Sequence, residues 1–152
     1  VIRHRLSHQS PYTAEQICEL VADIDAYPRF IPWIKSLNAK ERTVDGAVAR
    51  CVAEVVAGYK LIRERFSTAV VVDRANHRVT ADLVKGPFRH LSAVWQITSQ
   101  PSGCSIDFLI ELDIKIPFLK NLLEQKLEMA SERLMACFEA EASVCYGSCA
   151  KA

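Results

Sequence analysis

The chain has 152 residues, half of them hydrophobic, with 19 Lys and Arg against 18 Asp and Glu and a formal net charge of +1. That length suits one domain, residues 1–152, with a core of useful size. The near-balance of charge excludes a strong overall field for nucleic acid, so no direct DNA binding is expected, and it excludes a polybasic anchor; no apolar run approaches the ~20 residues of a membrane span. The opening VIRHRLSHQS lacks the apolar stretch of a secretory signal, and because the chain does not begin with Met a removed targeting peptide stays open.

Residues 2–9 alternate loosely and are predicted to form an edge strand. On such a strand His4 and His8 would stand about 13 Å apart, too far to share a metal, and read as solvated imidazoles. Ser10-Pro11 breaks the strand. Thr13 with Gln16 has the capping-box spacing, and AEQICELVAD places Ile17, Leu20 and Val21 on one side of a short helix of about ten residues. It stops near Asp25, ahead of Pro28 and Pro32. The segment Tyr27-Pro28-Arg29-Phe30-Ile31-Pro32-Trp33 holds three aromatics and an Ile in seven residues. It is predicted to be neither regular helix nor central strand. Two readings stand side by side: a loop pinned onto the core, or a lid over a pocket or patch that touches a membrane.

Strand signals follow. Ser36 to Val44 closes at Asp45-Gly46, a tight-turn pair. Ala47 to Ala57 carries Ala47, Ala49, Cys51, Ala53, Val55 and Ala57 on one face and Val48, Arg50, Val52, Glu54 and Val56 on the other. The inward face is therefore made of small side chains. Cores close-pack, so either a bulky neighbour or a ligand fills that volume; on the ligand reading, Ala53→Phe reduces ligand capacity and leaves folding intact. Gly58 is predicted to turn the chain into a third strand, Tyr59 to Val72, with Ile62, Phe66, Val70 and Val72 on one face and Arg63, Arg65 and Ser67 on the other. His77, Val79, Ala81 and Leu83 share a face of a fourth strand, and Gly86-Pro87-Phe88 interrupts the ladder. Leu91, Ala93, Trp95 and Ile97 form one face of a fifth. Ile106, Phe108, Ile110, Leu112 and Ile114 form the buried face of the last, opposite a solvated row with Asp107, Glu111 and Asp113.

From Pro117 to Tyr146 the chain has no Gly or further Pro. Apolar residues at Leu119, Leu122, Leu123, Leu127, Ala130, Leu134, Cys137 and Phe138 mark one face of a long helix, with Pro117 at its first turn and Gly147 as its stop. The pattern is α+β: a curved antiparallel sheet of six to seven strands around a long C-terminal helix, with one or two short helices after the first strand. The central expectation is that sheet and helix do not close fully and that an apolar ligand occupies the gap.

No nucleophile–base–orienter set and no metal site at useful spacing is visible, so an enzyme is not expected; a lone inward His77 reads as a core residue. Of the six cysteines, Cys18, Cys51, Cys104, Cys137, Cys145 and Cys149, none forms a C-x-x-C pair. They read as reduced, mostly buried thiols in a reducing compartment. Cys145 and Cys149, four apart, are the one pair with redox or metal spacing.

Four segments together carry a resemblance: LVADIDAYPRFIPWIKS, RERFST, KGPFRHLSAVWQI and the helix ending in ACFEAEA. They resemble the START-like, helix-grip superfamily, which is polyketide cyclase-like, and within it the coenzyme Q-binding protein and ribosome-association toxin family. The resemblance implies a sheet wrapped around the long helix, an elongated apolar cavity, and a non-catalytic carrier or chaperone of ubiquinone or a similar isoprenoid lipid, with no further cofactor. It implies a gate at Tyr27, Phe30, Ile31 and Trp33, with Phe88 nearby. The wall residues, assigned by alternation, are Phe66, Trp95, Phe108, Ile110 and Leu112 from the sheet and Leu123, Leu127, Leu134 and Phe138 from the helix. Tyr27, Arg65 and Lys85 are candidates to hold a polar head group. Alternatives are a ribosome-associating protein that binds the large subunit, with Arg63, Arg65, Arg74 and Arg78 as a basic face, and a polyketide cyclase or dehydratase. The implied location is the bacterial cytoplasm or the mitochondrial matrix side, peripheral to the inner membrane.

Overall fold

The computed structural model describes residues 1–59 and 61–147. Its strands are β1 (Ile2–Ser10), β2 (Ile34–Asp45), β3 (Val48–Tyr59), β4 (Ile62–Asp73), β5 (Arg78–Lys85), β6 (Phe88–Gln100) and β7 (Gly103–Ile114). The helices are α1 (Ala14–Ala22), the single turn α2 (Tyr27–Phe30) after a 3-10 turn at Ile24–Ala26, and α3 (Pro117–Tyr146). All seven strands lie in one antiparallel sheet of order β1-β7-β6-β5-β4-β3-β2. Six strands follow one another as hairpins, and β1 closes the far edge against β7.

The local chemistry explains the elements. The Thr13 side chain accepts from the Gln16 N–H and the Gln16 side chain accepts from the Thr13 N–H, the expected reciprocal cap. Pro117 opens α3 and Gly147, at φ 53°, ends it. The alternation of β7 is buried at Cys104, Ile106, Phe108, Leu112 and Ile114. A contiguous core joins α1 through Ile17 and Val21, the sheet through Trp95, Ile97 and Ile106, and the C-terminal half of α3 through Met135, Phe138 and Ala142.

Several expectations are corrected. The Tyr27–Trp33 segment begins as a helical turn, because Pro28 occupies the first turn where its missing N–H is not needed. Gly58 does not turn the chain: it pairs with Arg63 inside β3, and the hairpin closes beyond Tyr59 and before Ile62. His77 precedes β5, at φ 51°, with Nε2 3.8 Å from Glu15 of α1. His4 and His8 are less solvated than expected: α3 lies over the inner face of β1, and both are partly covered, the His8 side chain staying 37% exposed. His8 Nε2 stands 3.0 Å from Glu139 Oε1, and His4 Nε2 is buried without a partner.

One irregularity positions the site. β5 and β6 pair only from Arg78–Gln96 to Asp82–Ser92. Beyond that, Leu83 and Lys85 stay with β4 while Phe88 and Leu91 follow β7. Pro87 offers no donor to close the gap, so the sheet parts at the end where α3 begins.

Candidate ligand cavity

Where the sheet parts, the N-terminal half of α3 does not reach it. Leu119, Leu122, Leu123, Leu127, Ala130, Ser131 and Leu134 form one wall, and residues of β3, β4, β6 and β7 the other. The cavity between them is about 340 Å³ and is partly open to solvent; we take the parted end of the sheet as its mouth. From Leu119 to Leu134 the helix rises about 22 Å, so the space is elongated. Leu112, Ile114, Leu119 and Leu127 are buried yet stand outside the contiguous core, because the cavity lies between them and it.

Residue size explains the void. On the sheet side Ala57 and Gly58 are what β3 offers among the described residues, and on the helix side Ala130 and Ser131 are small. At the inner end aromatic packing closes the space. Phe108 lines the cavity and stacks on Trp95 at 4.4 Å, and Trp95 lies 4.9 Å from Phe138. At the mouth Phe66 and Phe88 meet edge to face at 5.4 Å. A Cβ on Gly86 would stand 2.6 Å from the Phe66 Cβ, so this pair needs glycine there.

Of the fourteen candidate ligand contacts, Trp33, Phe66, Phe88, Phe108, Ile110, Leu112, Leu123, Leu127 and Leu134 line the cavity. Tyr27, Phe30, Ile31, Trp95 and Phe138 do not. Tyr27 and Phe30 pack edge to face on Phe138, at 5.4 and 5.2 Å, and Ile31 is fully buried in the core. Most of the supposed gate is thus a plug behind the cavity, and only Trp33 reaches it. Arg29, beside this plug, ties it to α3 through Glu141, a buried carboxylate 2.5 Å away. Ala53 is packed in the core and not on the cavity, which overturns the expected effect of Ala53→Phe.

The polar candidates move as well. The Tyr27 hydroxyl donates to the Val21 carbonyl, and burial, with Asp23 adding to it, pushes this phenol far above its usual pKa. Arg65 and Lys85 line a separate polar groove of about 500 Å³, with Asn38, Glu54 and Ser67. The polar side chains that do face the cavity are Glu64 and Ser131. Neither was singled out from the sequence, although Glu64 alternates with the outward Arg63 and Arg65 and so shares the face of Ile62 and Phe66. No His, Cys, Lys or Arg is among the described lining residues.

Cys18 and Cys104 are buried, Cys51 and Cys137 half-buried, and Cys145 exposed, all as free thiols; Cys149 lies outside the described residues, and with it the Cys145–Cys149 pair. Burial first, then the nearby Glu139 carboxylate, pushes the Cys104 thiol up to about 11. The reactive species is the thiolate. At mildly alkaline pH, Ellman's reagent is therefore expected to label Cys145 in the folded protein and to leave Cys104 unmodified until denaturant is added. Peptide mapping after labelling checks this.

A family model described as polyketide cyclase / dehydrase and lipid transport matches residues 10–139. The ribosome association toxin RatA of Rickettsia prowazekii is 26% identical over 135 residues, 87% of this chain and 90% of that protein. The mitochondrial coenzyme Q-binding protein COQ10 homolog B of Xenopus laevis is 27% identical over 90% of this chain, which spans only 56% of that longer protein. Among solved structures, an 18 kDa protein of Caulobacter crescentus matches with a TM-score of 0.83 and 36% identity, covering 97% of this chain and 99% of that one.

Proposed function

The chain belongs to the polyketide cyclase / dehydrase and lipid transport family of START-like proteins, and from that premise we propose that it is a non-catalytic carrier of a lipophilic molecule, with ubiquinone as the ligand. The single observation that carries this is the channel of about 340 Å³ whose described lining side chains are apolar except for Glu64 and Ser131. An apolar chain gains about 25 cal/mol for each Å² it removes from water, so such walls supply affinity without specific bonds. The elongated shape suits an isoprenoid chain. Small-molecule pockets run to about 300–1,000 Å³. This one is at the low end, so it encloses the quinone ring and the first part of the tail, and the remainder leaves through the mouth. On this reading the Ser131 hydroxyl, which lines the channel, donates to a quinone carbonyl. The carrier would work in the bacterial cytoplasm or on the matrix side of the mitochondrial inner membrane; no described helix is long and apolar enough to cross a membrane.

Trp33 gives a direct test, since it lines the cavity while the other tryptophan, Trp95, sits behind Phe108. Titration with a short-tailed ubiquinone is expected to quench emission saturably, and Trp33→Phe to remove most of the response. Mass spectrometry of lipid extracted from the purified protein identifies the natural ligand. An absence of both saturable quenching and extractable lipid sinks the reading.

A second reading, association with the large ribosomal subunit, is favoured by the match to the Rickettsia toxin and by Arg63 and Arg65, exposed and in no ion pair among the described residues. Salt-dependent co-sedimentation with the subunit tests it. For the cyclase reading, the inward-His77 candidate is spent on Glu15, outside the cavity.

A further inference from the structure

Exposed apolar side chains gather at one end of the molecule. β3 and β7 end here, β4 and β6 begin here, and α3 starts here. Leu61 stands fully in solvent at the β3–β4 turn. Val84 is exposed near the β5–β6 turn, and Ile116 and Phe118 at the entry to α3. Trp33, Phe66 and Phe88, which line the cavity, lie at this end too.

The same end is cationic. Lys35, Arg63, Arg65, Lys85, Arg89 and Lys115 are all exposed, and none forms an ion pair among the described residues. Lys35 only donates to the Pro32 carbonyl, at 3.0 Å. Of the nearby carboxylates, Glu64 faces the cavity, Glu111 is held by Arg3 and Glu54 by Lys40, which leaves Asp113 without an ion pair among the described residues, against six such cations. Toward the opposite end, Arg42 is paired with Asp25 and Arg74 with Glu19. The net charge of +1 therefore conceals a local cluster of six cations around the mouth; Arg50 and Arg78 at the opposite end also lack an ion pair among the described residues, but they stand as scattered single charges.

We propose that this end docks on a lipid bilayer bearing anionic headgroups, with the cavity mouth against the membrane surface. Charge complementarity and the apolar tips argue together for that occupant. Anionic headgroups match the cations, and the headgroup–acyl boundary takes in Leu61, Val84 and Phe118, which RNA phosphates would leave in water. A lipophilic ligand then passes between bilayer and cavity without crossing bulk water.

The test is sedimentation of the full chain with vesicles of phosphatidylcholine alone or of phosphatidylcholine with phosphatidylserine. Binding is expected only to the second, and it weakens as salt is raised. Arg63→Gln with Arg65→Gln is expected to weaken it by about thirtyfold. Leu61→Ser with Phe118→Ser is expected to weaken vesicle binding while leaving any affinity for a ribosomal RNA fragment unchanged. All four positions are exposed, and thermal melting verifies that the variants fold. Equal binding to both vesicle types, binding to neither, or an arginine variant that binds like wild type overturns the proposal. Charge-dependent binding of RNA without vesicle binding gives the surface to RNA instead. The assay needs no ligand in the cavity, so its failure and a failed quinone titration are separate results.

Discussion

Ala130→Phe is expected to weaken binding of a short-tailed ubiquinone by close to a hundredfold while the protein melts within a few degrees of wild type. Ala130 lines the cavity on α3, and a phenyl ring there enters empty space rather than packed atoms. If the ring displaces about 100 Å² of ligand contact, the loss is about 2.5 kcal/mol, which is that factor in affinity. The control is Ala53→Phe. Ala53 is 2% exposed and enclosed by the core, so there the same ring is overpacked and costs about 1–3 kcal/mol of stability. Fluorescence titration and thermal melting of the two variants separate the effects. Should Ala130→Phe bind quinone like wild type, the ligand does not occupy this channel.

The largest loss of stability is expected from Phe138→Ala, about 3–5 kcal/mol by chemical denaturation. Phe138 is 2% exposed and touches Tyr27, Phe30 and Trp95, all within 5.4 Å between ring centroids. Truncation removes the partner of three rings at once and leaves a hole where α2, α3 and β6 meet. Aromatic pairs of this geometry add about 0.5–1.5 kcal/mol each beyond area burial, so a cost under about 1 kcal/mol would show that the cluster repacks freely. The truncation opens space behind Phe108 rather than in the channel itself, and quinone binding is expected to survive at temperatures where the variant stays folded.

Periodicity made the architecture readable. The inward row of β7 and the apolar stripe of α3 each name a face, and faces are what two- and three-to-four-residue spacings encode. They do not encode position along the face. Trp95 and Phe108 both point inward from neighbouring strands, yet Phe108 borders the cavity and Trp95 lies behind it. That difference comes from where the sheet parts between β5 and β6, a long-range event that only Gly86-Pro87 foreshadowed. Ala53 and Ala57 share one small-residue row, but only Ala57 stands at the parted end. Tyr27, Phe30 and Ile31 showed that a segment rich in aromatics meets apolar surroundings, not whether those are a ligand or Phe138. Glu64 was legible from alternation alone, had its neighbours not drawn attention to the outward arginines. The partial burial of His4 and His8 was not, because nothing in β1 announces that α3 will cover it.

The pairing of β1 with β7 has a consequence for how the molecule is made. Ser10 finds its partner only at Cys104. At about 5–20 residues per second on the ribosome, the first strand waits about 5–20 s for the last to emerge. Until then the hairpin meander can assemble, but its β7 edge does not yet exist and the N-terminal segment drifts as an unzipped ribbon. Closure is a late, nonlocal step that places this protein among slower folders, and a chaperone able to shield that first strand would act during this interval.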